Sequence, residues 1–152
     1  MLTELALGWA EAAAPGAARM LAPGERLADA VQGVFSRQDG PLLLAAAETP
    51  RLARRHAEMA LEDLADGAAV SVGPGMDGGW YLIALSAPHA AVLGLLDLDS
   101  EQEVMGRLLG AAAQTGLEVG MLRMERMLRT SRDVLAVRAD PLTPAILRRA
   151  LG

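Results

Sequence analysis

Apolar residues recur at two periods along the chain, and the alternation between those periods predicts its elements. In residues 1–14, Leu2, Leu5, Trp9 and Ala13 share one helical face, and Pro15-Gly16 ends the pattern. ERLADAVQGVFSRQDG is a second helix, with Leu27, Val31 and Val34 at i, i+4 and i+7 and a stop at Asp39-Gly40-Pro41. Leu42 to Ala47 form an unbroken apolar run, as in a strand buried on both faces. Thr49-Pro50 then supply an N-cap and an N1 proline for a helix over residues 51–65, closed near Gly67. Residues 68–72 and 80–85 read as strands flanking a glycine-rich loop. Ser100 with Glu103 makes a capping box ahead of a helix bearing Val104, Met105, Leu108, Leu109 and Ala112 and ended by Gly116. Residues 117–123 predict a strand, 131–137 a short helix, and Thr143-Pro144 open a last helix through Leu151. Short apolar strands alternating with helices predict a single α/β layered domain over residues 1–152 with a mostly parallel sheet.

Composition narrows the function. A chain of 152 residues suits one core rather than two, and with 52% hydrophobic but only 3% aromatic residues that core is built of Ala, Leu, Val and Met. The net charge of −5 gives no attraction to phosphate backbones or anionic membranes, so neither nucleic acid nor membrane is an expected partner. Without cysteine there is no disulfide, thiolate nucleophile or Cys-ligated zinc, which fits a reducing compartment. Glu4 and Glu11, with no basic residues ahead of the apolar part, argue against a signal peptide, and no segment is long enough to span a bilayer; the expected location is cytoplasmic.

In an open α/β sheet, ligands bind beyond the carboxyl ends of strands, where loops are free and helix N-termini present unpaired N–H groups. Two acids stand at such ends: Glu48, in AAAETP, and Asp77, in GPGMDGGWYLIAL. Carboxylates there can hold a divalent cation that bridges diphosphate oxygens. Plainer readings stand beside this one. Glu48 can be a solvated charge complementing a helix dipole, and Asp77-Gly78 is a strong hairpin signal. The loop has neither a Walker lysine nor a G-x-G-x-x-G between strand and helix. His56 and His89 lack metal-ligand spacing and read as surface or core residues. Arg51, Arg54 and Arg55 form a solvated helix face or meet a phosphate, and Met121, Met124 and Met127 are adaptable core or interface filler.

The order GERLADAV, PLLLAAAETP, GPGMDGGWYLIAL and LEVGMLRMERMLRTSRDV resembles a bacterial family of uncharacterised glycosyltransferase-like proteins in the GT-A, nucleotide-diphospho-sugar transferase superfamily, over residues 24–137. Its most specific part is G-P-x-x-D-G-G-W/Y-Y-L-I, matched at Gly73, Pro74, Asp77, Gly78, Gly79, Trp80, Tyr81, Leu82 and Ile83. The resemblance implies a GT-A-like (Rossmann-like) three-layer sandwich lacking its first nucleotide-binding βα unit. It implies binding of a nucleotide or nucleotide sugar, with glycosyl or nucleotidyl transfer, and Mg²⁺ or Mn²⁺ as cofactor. Carried over residue by residue, it makes Glu48 the metal ligand, Asp77 the catalytic residue, and Gly75, Asp77, Gly78, Gly79 and Trp80 the substrate-binding loop. The family's later D-V-D-T motif falls on Met127, Leu128, Arg129 and Thr130, so both late carboxylates are replaced. A missing first strand leaves a sheet edge that a second subunit would cover, so a homodimer is expected. The alternative is a catalytically inactive relative acting as a binding or oligomeric interaction module.

Overall fold

The computed structural model describes residues 2–96 and 104–151. Along the chain run α1 (Leu2–Ala13), α2 (Leu27–Phe35), β1 (Leu42–Ala45), α3 (Arg54–Ala65), β2 (Val70–Pro74), β3 (Trp80–Leu85), α4 (Ala90–Leu96), α5 (Val104–Thr115), β4 (Val119–Met121), α6 (Ser131–Ala139) and α7 (Ala145–Ala150). The strands form one sheet in the order β1-β3-β2-β4. β3 pairs antiparallel with both β1 and β2, and β2 pairs parallel with β4.

The sheet is therefore mixed, not mostly parallel. Residues 75–79 are too few for a crossover, which needs about a dozen residues or more, so β3 must return antiparallel to β2. Pairing with β1 on its other side makes β3 an inner strand, as β2 is, and it is buried from Tyr81 to Leu85. Side-chain alternation splits the core into two apolar layers. Val70, Val72, Ile83 and Leu85 meet Val31, Val92, Leu93, Leu96 and Leu108 of α2, α4 and α5 on one face. Leu82 and Ala84 meet Ala60 of α3 on the other, with Trp9 of α1 and Leu43 and Ala45 of β1 at the margin. The result is a helix–sheet–helix sandwich with β1 as an outer strand.

Several boundaries differ from the sequence pattern for local reasons. β1 stops at Ala45 and is only half-buried, because its far edge has no strand partner among the described residues. α3 starts at Arg54, not at residue 51, and Thr49 caps nothing: the His56 Nδ1 accepts the Ala53 N–H at 2.9 Å and fixes the helix start there. The strand expected over residues 117–123 shrinks to Val119–Met121. α4 was not legible, being a short apolar helix interrupted by Gly94. α6 carries a Thr130–Asp133 capping box, with Asp133 N donating to Thr130 Oγ1 at 3.2 Å and Thr130 N to Asp133 Oδ2 at 3.0 Å. The Ser100–Glu103 capping box lies outside the described residues. No helix among the described residues is long and apolar enough to cross a membrane.

Candidate ligand site at the β2–β3 hairpin

The glycine-rich segment folds as a tight hairpin whose amides are turned inward. Gly75 N donates to Gly79 O at 2.8 Å, Gly78 N to Gly75 O at 3.1 Å, and Gly79 N to the Asp77 carboxylate at 3.2 Å. Met76 N donates outward to Glu125 O at 2.9 Å. These four amides are spent on the fold itself, so the loop is no phosphate cradle of the P-loop kind. Its glycines answer to packing. Gly78 has φ +89°, and a Cβ on Gly73 would enter the Tyr81 ring. At Gly75 a Cβ would meet the Asp77 carboxylate and, at 2.9 Å, Met127 Sδ.

The segment after β4 runs beside the hairpin and ties it to the end of β1. Glu125 N donates to Pro74 O at 3.1 Å, and Leu128 N to Glu48 O at 2.8 Å. That path places Arg129 between the two acids singled out in the sequence. Its Nε lies 2.7 Å from Asp77 Oδ2, with the Arg129 and Asp77 side chains 27% and 34% exposed. Beside the pair lies a cavity of about 270 Å³, lined by Ala46 and Glu48 from the end of β1, Gly79 and Trp80 from the hairpin, Arg129, and apolar Leu27, Leu96 and Val104.

Glu48, Gly79 and Trp80 thus line one cavity, whereas Asp77 is linked to it through Arg129, and Gly75 and Gly78 serve the turn. Both Asp77 oxygens are engaged, Oδ1 by Gly79 N–H and Oδ2 by Arg129, and no group of three or more His, Cys, Asp or Glu suited to a metal occurs among the described residues. Among the described residues the carboxylates here are Glu48 and the Arg129-paired Asp77, a donor set that by itself does not suit Mg²⁺ or Mn²⁺. In the sequence Arg129 stands out only as the residue at the second acid position of D-V-D-T; what it faces is shown by the fold.

A second polar group lies beneath the hairpin. His56 Nε2 is 3.4 Å from Glu125 Oε1, both side chains being buried, and the His56 ring meets Tyr81 edge-on with centroids 5.4 Å apart. Because Nδ1 accepts from Ala53, the Nε2 proton points to Glu125. Burial pushes the Glu125 carboxyl up, but the His56 hydrogen bond and the charges of Arg51 and Arg123 outweigh it and hold the carboxyl below its ordinary value. Tyr81 donates to Arg123 O at 3.0 Å, and burial, helped by Glu125, pushes its phenol up to about 12. His56 is thus a core histidine. Arg51 pairs with Asp140 at 3.0 Å and Arg54 with Glu58 at 2.7 Å, outside the cavity. Met127 is buried, whereas Met121 and Met124 are exposed.

Sheet order and layers define an α/β protein with a mixed four-stranded sheet between helical layers and a cavity at the strand ends. The chain belongs to the family described as an uncharacterized protein conserved in bacteria (DUF2064), which it matches over residues 18–100. It also superposes on the crystal structure of a proposed nucleotide-diphospho-sugar transferase from Desulfovibrio desulfuricans G20, with a TM-score of 0.69 and 24% identity. The alignment covers 88% of this chain but 59% of that one, so the chain spans well under two thirds of its structural relative. No curated protein matches the chain.

Proposed function

We propose that the cavity between Glu48 and Trp80 binds one end of a nucleotide or nucleotide sugar, and that the protein is transferase-like in the glycosyl or nucleotidyl sense. The observation that carries this reading is the convergence of Glu48, Gly79, Trp80 and Arg129, from three separate chain segments, on one cavity at the strand ends. The fold shared with a proposed nucleotide-diphospho-sugar transferase supports the ligand class. The cavity's volume of about 270 Å³ is near the low end of the range of about 300–1,000 Å³ usual for ligand pockets, which suits one end of such a ligand. Asp77 serves there as a positioning residue, holding the guanidinium that faces the ligand. Calorimetric titration with a panel of nucleoside diphosphates and nucleotide sugars tests the proposal: saturable binding of at least one member is expected, and no heat from any of them would sink it.

A second reading, an interaction module that associates through its sheet edge, is favoured by one observation. A groove of about 540 Å³ runs along β1 between α1 and α2, lined mainly by apolar residues such as Leu7, Leu21, Val34 and Leu43. A second copy of the chain covering that edge would remove apolar surface and unpaired strand groups from water together.

A further inference from the structure

We propose that Arg129 is the fixed cation of this cavity, so that the anionic end of the ligand is held by a guanidinium and no divalent metal takes part. This rests on reading the cavity as a nucleotide-sugar site and goes on to name what the site recognises. Arg129 lines the cavity together with Glu48, and its Nε is held 2.7 Å from Asp77 Oδ2. Asp77 is itself fixed by the Gly79 amide at 3.2 Å, and Arg129 Nη2 rests 3.7 Å from Met127 Sδ. The guanidinium is therefore oriented by the hairpin and not left to wander in solvent.

A guanidinium carries a permanent positive charge on a planar fork whose shape matches phosphate oxygens. A divalent cation brought between Glu48 and Asp77 would meet a permanent positive charge already bound to one of the two carboxylates that the described residues place there. A phosphate meets the reverse situation: the attraction of Arg129 without the cost of stripping water from Mg²⁺. The other lining groups complete a consistent set. The Glu48 carboxylate accepts hydroxyl protons, as a sugar offers them, and Trp80 supplies an aromatic surface beside an apolar wall of Leu27, Leu96 and Val104. One cation for a phosphate, one acceptor for hydroxyls and one ring for an apolar sugar face together select a sugar phosphate or glycosyl diphosphate.

Two measurements on the full chain decide this. In the first, Mn²⁺ is titrated alone and followed by electron paramagnetic resonance. The wild type is expected to leave Mn²⁺ free, and Arg129→Asp, which removes the cation and adds a third carboxylate, is expected to bind it at least tenfold more tightly. Mn²⁺ bound by the wild type and lost in Glu48→Gln would overturn the proposal. In the second, the nucleoside diphosphates and nucleotide sugars are titrated in excess EDTA and again with Mn²⁺. Affinities equal within about twofold are expected, with a loss of at least tenfold in Arg129→Ala and most of the affinity kept in Arg129→Lys; an absolute requirement for Mn²⁺ would overturn it. If no nucleotide binds under either condition the functional reading fails, while the Mn²⁺ titration still decides the claim about Arg129. Circular dichroism melts establish that each variant is folded.

Discussion

At the scale of the residue, Asp77 shows how one side chain can carry a hairpin and a site together. Its carboxylate satisfies the Gly79 amide and pairs with Arg129, both partly exposed interactions worth about 1 kcal/mol or less each. Asp77→Ala is expected to lower stability by about 1–2 kcal/mol in urea, and Asp77→Asn, which keeps the amide's acceptor, by about half as much. Equal losses would mean that the ion pair alone matters. Tyr81 gives a cleaner readout because it is the only tyrosine in the chain. A phenol pushed up to about 12 when folded, against about 10 when unfolded, keeps its proton longer in the native state, so stability falls as the pH rises through that window. Tyrosinate absorbance is expected to appear near pH 12 or together with unfolding; titration near pH 10 in a still-folded protein would contradict the burial argument. For Glu125 the sign is opposite. Its depressed native value contributes stability above the unfolded value of about 4.3 that is lost as pH falls through the lower, folded value. Acid unfolding of Glu125→Gln should accordingly show a weaker pH dependence than that of the wild type.

At the scale of the element, the glycines separate into those that packing requires and those it does not. Gly73→Ala drives a methyl into the buried Tyr81 ring and is expected to cost about 1–3 kcal/mol. Gly110→Ala, inside α5 with nothing within 4 Å of the new carbon, should instead stabilise by about 0.5–1 kcal/mol. Thermal melts of the two single variants test this difference in sign. The same elements mark how far the sequence could be read. The strands at residues 70–74 and 80–85 and the hairpin between them were legible, since apolar runs and the Asp77-Gly78 pair are local signals. The direction of β3 follows from the short connection of residues 75–79, whereas the general alternation of helices and strands points to a parallel sheet. The start of α3 was obscured by a competing local signal: Thr49-Pro50 looks like a helix start, but the His56 ring takes the Ala53 amide. What could not be read at all were the pairings between distant positions, Asp77 with Arg129 and His56 with Glu125, because side-chain partners that far apart are set by the sheet and not by any spacing.

At the scale of the whole molecule, the two open features adjoin along β1 and share Leu27 and Trp80. Its carboxyl end feeds the cavity through Ala46 and Glu48, and its outer edge borders the apolar groove. If the groove is covered by a second copy, sedimentation equilibrium should report a dimer at micromolar concentration, and Leu7→Glu should return monomers that melt like the wild type; a wild-type monomer would argue against association through this edge. Leu27 and Trp80 line both cavity and groove, so a partner seated in the groove would border the cavity. The central claim, that ligand enters between Glu48 and Trp80 beside Arg129, is tested most directly by following backbone amide and indole resonances while a nucleotide sugar is titrated. The shifts should cluster at Glu48, Gly79, Trp80 and Arg129. Shifts confined to the groove residues of α1, α2 and β1, or no shifts at all, would contradict it.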